Sequence, residues 1–196
     1  YGTIDFGIAA FAEGENCKAI GPNSHASGLN TIANGVCAHT EGRETTANYA
    51  SHAEGGWTNA NGQYAHTEGN STEADANFAH AEGYQSKVTE LGPMGHAEGN
   101  KTIVSAQSAH AEGRETIASG LYSHAEGYKT IVSAQAAHVE GDGATATGYA
   151  SHAEGYKTKA ANTYAHAEGK ESNASGYTSH AEGCGTIASG INTHAE

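Results

Sequence analysis

One short motif recurs along the whole chain and sets the spacing of its histidines. All 13 His residues lie in His-Ala-Glu-Gly or a close variant. Ten of the twelve spacings between successive His residues equal fourteen positions, as from His110 to His124. The step from His39 to His52 is one position shorter, and the step from His80 to His96 is two positions longer. A fixed period of this kind indicates tandem structural repeats, each of which packs only against its neighbours.

A second half-motif divides each repeat into two segments of seven residues. Three residues after most motif glycines comes Thr or Ser, and two residues later comes Ala or Val, as at Thr116 and Ala118. Small residues two apart share one face of a strand, because side chains alternate. The pattern predicts two short strands of roughly five residues per repeat. We expect tight corners of positive φ at the glycines, with Asn48 and Asn162 as the next-best residues there.

Comparison of columns within the chain indicates which side chains point inward. The Thr/Ser and Ala/Val columns hardly vary, whereas the position between them includes Ile32, Glu73 and Lys87. A position that accepts both charged and aliphatic residues is exposed, so small residues are predicted to fill a narrow interior. Such an interior explains why nine Ile, five Val, three Leu and three Phe suffice, although this composition alone would indicate disorder.

The paired seven-residue units resemble the head repeats of the YadA-like trimeric adhesins. The form Ser123-His124-Ala125-Glu126-Gly127 is similar to repeats of phage and prophage tail proteins. The resemblance covers residues 11–196 and implies an all-β fold, a left-handed parallel β-roll (solenoid) assembled as a parallel homotrimer. It also implies an extracellular location, on a virion tail or a cell surface. The His and Glu residues replace the aliphatic residues common in adhesin repeats, which argues against matrix binding.

The domain organisation follows from the extent of the repeats. We expect residues 11–196 to form a single β-roll of about 13 tandem repeats, with an insertion at 91–95. Residues 1–10 are interpreted as the incomplete N-terminal edge of the array, and the chain as a fragment of a longer one.

The His and Glu columns are the first candidate site. His and Glu are two residues apart, so they are expected on one strand face, opposite the buried Ala. Glu residues stacked at about 4.8 Å repel each other by roughly 1 kcal/mol even in water. Contacts between chains would offset this repulsion, and mild acid would then charge His and tighten the pairs until Glu protonates. The predicted inter-chain columns comprise His110, Glu112, His124, Glu126, His138, Glu140, His152, Glu154, His166, Glu168, His180 and Glu182.

Two other interpretations of these columns stay open. They could form a solvated polar face, or an array that binds divalent metals. Every repeat would then be an equivalent site, so no metal ligand and no cofactor is assigned.

Irregular positions are the second candidate site. Exposed aromatic rings at corners could stack on sugars of a cell surface, although packing between neighbouring repeats or chains is the favoured explanation. The candidate surface-contact residues are Trp57, Tyr84, Pro93, Met94, Tyr128 and Tyr156.

The function predicted from these features is structural and not enzymatic, because no single nucleophile or unique catalytic constellation occurs. A net charge of -13 with nine scattered Lys and Arg argues against nucleic-acid binding, and no apolar run is long enough for membrane insertion. We expect the trimeric rod of a phage-type tail fibre, which presents or forms a binding region for a host cell-surface glycan or protein. A bacterial trimeric adhesin head is the alternative, and an ice-binding or metal-binding β-solenoid is the alternative of another class.

Overall fold

The computed structural model describes residues 3–196, and these form two compact units that meet between Asn100 and Lys101 in sequence. Residues 1–2 of the predicted N-terminal edge lie outside the described part. In both units a long strand alternates with a short strand, and the described residues contain no helix. Accordingly, none of them forms an apolar helix of membrane-spanning length.

The first unit contains two parallel sheets. Its short-strand sheet consists of β1 (Ile4–Asp5), β3 (Lys18–Ala19), β5 (Ile32–Ala33), β7 (Thr46–Ala47), β9 (Asn59–Ala60), β11 (Glu73–Ala74) and β13 (Lys87–Val88). The facing sheet, called the His-Glu sheet below, consists of β2 (Phe11–Glu15), β4 (His25–Leu29), β6 (His39–Arg43), β8 (His52–Gly56), β10 (His66–Asn70), β12 (His80–Tyr84) and β14 (His96–Asn100).

The second unit has the same plan. Its short-strand sheet consists of β15 (Ile103–Val104), β17 (Ile117–Ala118), β19 (Ile131–Val132), β21 (Thr145–Ala146), β23 (Lys159–Ala160), β25 (Asn173–Ala174) and β27 (Ile187–Ala188). Its His-Glu sheet consists of β16 (His110–Arg114), β18 (His124–Tyr128), β20 (His138–Asp142), β22 (His152–Tyr156), β24 (His166–Lys170), β26 (His180–Ala181) and β28 (His194–Ala195).

Within each unit, each strand pairs in parallel with the equivalent strand of the next coil, and like residues mostly face each other. Between β22 and β24, His152 pairs with His166 and Glu154 with Glu168. The shorter and the longer repeat keep this register, because His39 pairs with His52 and His80 with His96. The predicted parallel β-solenoid of tandem fourteen-residue repeats is confirmed.

The two strands of a coil differ in length, contrary to the prediction of two five-residue strands. The His-Ala-Glu-Gly half mostly forms five paired residues, whereas the Thr/Ser half forms two, as in β17. Glu115 has a left-handed backbone with φ 57°, so the corner ends only two residues before β17 begins. The chain turns again soon afterwards, with a bend at Gly120 and a turn at Leu121 and Tyr122, which leaves no room for a longer strand.

The interior is as narrow as the sequence predicts. Ala111, Thr116 and Ala118 are fully buried, and equivalent residues are buried in the other coils. The Ser or Ala before each His adds a further buried column, as at Ser123. The largest fully buried side chains are valines and threonines, including Val88, Val104, Val132 and Val139. Thin coils of small residues therefore replace a thick apolar core.

The two kinds of glycine in a coil serve different purposes. The motif glycines have positive φ, as expected, for example 110° at Gly127. The glycines of the other corner, such as Gly120, are required because a Cβ there would lie 2.0 Å from the Ala134 carbonyl oxygen of the next coil. Residues two before His adopt the left-handed conformation at this corner instead, for example Tyr122 with φ 58°.

The expectation that Asn48 and Asn162 adopt positive φ is therefore wrong. Their side chains instead donate hydrogen bonds to backbone carbonyl oxygens. A carbonyl group at a corner needs such a donor when no backbone N–H of the adjacent coil reaches it. Asn48 Nδ2 donates to the Asn61 carbonyl oxygen at 3.1 Å, and Asn162 Nδ2 donates to that of Ser175 at 3.2 Å. Both amides thus link one coil to the next.

The insertion at 91–95 lies in a single corner, as predicted for a bulging loop. Two successive turns absorb the extra residues, since Gly92 N donates to Thr89 O and Gly95 N to Gly92 O, each at 2.9 Å. Met94 has φ 59° and its amide donates to Asn77 O at 3.0 Å, as the equivalent residues of regular coils do. Chain length can therefore change here while the next His stays in register.

Candidate functional site

The His-Glu sheet of each unit presents two columns of polar side chains on its outer face. In β18, His124 is half-buried, Ala125 is buried and Glu126 is exposed, and the same alternation occurs in the neighbouring strands. Successive His rings within each unit have centroids 4.6 to 4.9 Å apart, close to the spacing of paired strands. The predicted placement of His and Glu on one face, opposite the buried Ala, is confirmed.

Within a coil the His and Glu side chains also approach each other. The Nε2–Oε2 distance is 3.4 Å for both His80–Glu82 and His166–Glu168, and it increases to 4.0 Å for His52–Glu54. These contacts are electrostatic, because the groups are not aligned as hydrogen bonds. Since His and Glu belong to the same strand face, a protonated His would offset part of the charge of the Glu column within one chain.

Many of the imidazoles nevertheless have an unused nitrogen. A buried polar atom without a hydrogen bond costs about 1 to 3 kcal/mol, so a repeated set of such atoms indicates that a partner is missing. Within residues 3–196, the Nε2 atom is buried and makes no hydrogen bond in His25, His52, His66, His80, His124, His138, His152, His166 and His180.

Burial lowers the pKa of several imidazoles, and the neighbouring His rings add to this effect. The pKa of His166 is below its ordinary value, first because burial removes water from the charged form and then because His152 and His180 lie beside it. Glu168 and Glu154 act in the opposite direction but do not outweigh these effects. The pKa is lowered in the same direction, with burial again the first cause, for His52, His66 and His124.

We therefore expect the fold to lose stability as the pH falls from neutrality. A histidine of the unfolded chain ionises near its ordinary pKa of 6.5, above its pKa in the fold. The unfolded state then binds more protons, so the stabilisation is complete above pH 6.5 and is lost as the pH falls through the lowered pKa. This direction is opposite to the tightening in mild acid expected for pairs that bridge chains.

Urea unfolding at pH 7.5 and pH 5.5 measures this effect. The unfolding midpoint should be lower at pH 5.5, and the variant His124→Gln/His166→Gln should show a smaller difference between the two pH values. An equal or higher midpoint at pH 5.5 in the unchanged protein would contradict the expectation.

The predicted aromatic contact residues lie at corners and are partly covered by cations. Trp57 is stacked by the Arg43 guanidinium, 4.6 Å from the ring centroid. Lys129 Nζ lies 4.9 Å from the Tyr128 ring, and Lys157 Nζ lies 4.8 Å from the Tyr156 ring. Tyr84 and Met94 are exposed and Pro93 is half-exposed. Within the second unit, Tyr128 and Tyr156 are separated by Asp142 of the intervening coil.

The structure reveals two aromatic ladders at the other corner, which include none of the predicted contact residues. Tyr49, Tyr64 and Phe78 are in ring contact in the first unit, where Tyr64 and Phe78 are stacked at 5.3 Å. Tyr149, Tyr164 and Tyr177 form a similar ladder in the second unit. The signal was the recurrence of aromatic residues two or three positions before His. These contacts join one coil to the next, which accounts for several of the corner rings by packing.

Some coils bring three potential metal ligands close together. In the described part of the first unit, one such group is His80, Glu82 and His96, with one ligand atom of each within 4.8 Å of the others. The second unit contains three groups with the same spacing: His110, Glu112 and His124; His166, Glu168 and His180; and His180, Glu182 and His194. The coils thus differ in whether their His and Glu ligand atoms lie close enough together to bind one metal ion.

Comparisons with known proteins do not identify the chain. No protein-family model matches it, and no curated protein matches it either. The resemblance to YadA-like and phage tail repeats therefore rests on the repeat motif alone.

Proposed function

We propose that this chain is a non-enzymatic fibrous structural protein, a rod segment of a phage-type tail fibre that presents or forms a host-surface binding region. In this proposal three copies associate in parallel through their His-Glu sheets, outside the cell that produces them. The solenoid of thin coils supports the structural role, because such folds extend by adding coils and not by thickening a core.

The unused imidazole nitrogens of the His-Glu sheet carry the proposal. Within the described residues, nine His side chains hold a buried Nε2 atom that makes no hydrogen bond, and Glu residues in the same strands leave their carboxylates exposed or half-exposed. An imidazole N–H donates well to a carboxylate, and the bond is stronger when one partner is charged. The sheet thus offers donors and acceptors in excess of what one chain pairs.

The period of these groups favours a second and third copy of the same chain as the partner. Successive His rings are spaced by 4.6 to 4.9 Å within each unit, and a parallel copy presents its own columns with the same spacing. Three copies around a threefold axis bring equivalent coils to the same level, so one favourable contact is repeated at every coil. A partner with any other period would match the columns only locally.

Measurement of the mass in solution tests the assembly. One chain has a mass of 19.9 kDa, and sedimentation equilibrium or light scattering should give three times this mass. The variant Glu126→Lys/Glu140→Lys/Glu154→Lys should shift the mass towards the monomer, because it places lysines side by side in place of hydrogen-bond acceptors.

A matched variant on the opposite sheet serves as the control. Ile131→Lys/Thr145→Lys changes the short-strand sheet, where Lys159 already occupies the next coil in register with Thr145, and should leave the trimer intact. A monomeric unchanged protein at micromolar concentration, or a trimer that withstands the three Glu→Lys changes, would contradict the proposed assembly.

The other functions differ from this proposal in what they require of the surface. An ice-binding solenoid requires an exposed ladder of Thr, but the repeated Thr column, including Thr102, Thr116 and Thr130, is buried. A bacterial adhesin head would use the same fold and the same trimer. The sequence of the parent protein separates the two, since a self-cleaving chaperone domain would support the tail fibre and a membrane anchor the adhesin.

A further inference from the structure

We propose that the outer face of the His-Glu sheet holds a binding site for a divalent transition-metal ion, formed by His166, Glu168 and His180. Zn²⁺ and Ni²⁺ are the ions whose ligand preferences fit two imidazoles and one carboxylate. The site is built from a single chain, so it does not depend on the proposed trimer or on attachment to a host.

The three side chains already converge in the fold. Their ligand atoms lie within 4.8 Å of one another. The two imidazole rings are nearly parallel, with planes 6° apart and centroids 4.6 Å apart. His166 Nε2 lies 3.4 Å from Glu168 Oε2 on the same strand. Parallel strands in register place these groups, since His166 pairs directly with His180.

The unused nitrogens of this coil are available to a metal ion. The Nε2 atoms of His166 and His180 are both buried and make no hydrogen bond, although they lie side by side. A single cation between them would be bound by the lone pairs of both rings.

Coordination requires only a small closure of the site. Zinc binds imidazole nitrogen at about 2.1 Å, which places two nitrogens of a tetrahedral site about 3.4 Å apart. The ligand atoms lie within 4.8 Å of one another, so rotation of the two His side chains has to bring them closer and turn both rings toward the ion. The side chain of Glu168 is 42% exposed, so an ion can enter from the carboxylate side. Three protein ligands leave the fourth position for water.

Coils of the same sequence motif differ in this geometry. In the first unit His80, Glu82 and His96 match the proposed site, with rings 6° and 4.6 Å apart and an Nε2–Oε2 distance of 3.4 Å. In contrast, the rings of His52 and His66 are inclined at 52°, and His52 Nε2 lies 4.0 Å from Glu54 Oε2. We therefore expect one ion at the site of His166, Glu168 and His180 and one at the site of His80, Glu82 and His96. We expect none at the pair His52 and His66.

Titration of ZnCl₂ into the untagged protein, followed by calorimetry, tests the site. The variant His166→Gln/His180→Gln should bind one Zn²⁺ fewer per chain than the unchanged protein. His180 also belongs to the group with Glu182 and His194, so this variant prevents the ion from binding at that neighbouring group instead. The matched control His52→Gln/His66→Gln removes the same number of imidazoles and should bind as many ions as the unchanged protein. Circular dichroism shows whether each variant keeps its strands.

The location of the ion gives a second readout that needs no variant. Crystals soaked in ZnCl₂ should give a peak at the zinc absorption edge between His166 Nε2, His180 Nε2 and the Glu168 carboxylate. The proposal is overturned if this position has no peak, if the test variant binds as many ions as the unchanged protein, or if the control loses as many ions as the test variant.

Discussion

Replacement of Gly55 by Ala should destabilise the first unit by more than about 3 kcal/mol, whereas the same change at the adjacent Gly56 should have an effect below about 1 kcal/mol. Gly55 has φ 110°, a conformation that costs an L side chain strain. An added Cβ would also lie 2.1 Å from the Gly69 carbonyl oxygen of the next coil. Neither atom can move without breaking the ladder between β8 and β10.

Gly56 is a close control because it belongs to the same strand and the same coil. A Cβ at Gly56 would meet only the Asn70 Nδ2 atom, at 3.4 Å, and that side chain can turn away. Urea unfolding of the two variants, compared by midpoint and by slope, measures the difference. Equal shifts of the two midpoints would show that the motif glycine is not required by the close approach of coils.

Replacement of Val132 by Asp should destabilise the second unit by at least about 3 kcal/mol, because it places an unpaired carboxylate in the interior. Val132 is fully buried and lies between Ala118 and Ala146 in register. These neighbours have no polar side-chain atom that could pair with the charge. The narrow interior also leaves no space for water to follow the carboxylate inward.

The neighbouring residue provides the matched comparison for this change. Ile131 lies in the same two-residue strand, points outward and is 39% exposed. The variant Ile131→Asp should lose about 1 kcal/mol or less, since its carboxylate stays in water. Thermal and urea unfolding followed by circular dichroism separate the two. A Val132→Asp protein as stable as Ile131→Asp would mean that the Ala/Val column is not the interior.

The sequence predicted the register of the coils and the identity of the interior because both depend on simple periodicities. The constant step between motifs aligns His with His, and alternation along a strand separates Ala125 from His124 and Glu126. Neither inference needs knowledge of contacts between distant parts of the chain.

The corners and the ring orientations were beyond such reasoning. Left-handed backbone favours Gly and Asn, yet Tyr122, Tyr164 and Phe78 adopt it here. The preceding coil enforces it, since Tyr164 N donates to the Tyr149 carbonyl oxygen at 2.9 Å. Likewise, His80 and His166 have the same motif as their neighbours, and only the packed structure shows which rings become parallel.

At the corner that holds residues 91–95, the length of the chain can change without a change in the alignment of residues between coils. In most folds these two properties are coupled. The one additional turn at this corner leaves His80 paired with His96, just as the shorter coil leaves His39 paired with His52. Insertions and deletions at this corner therefore leave the register of the columns on the His-Glu sheet nearly unchanged. A protein built in this way can diversify displayed loops during evolution while the spacing of its His and Glu groups remains constant.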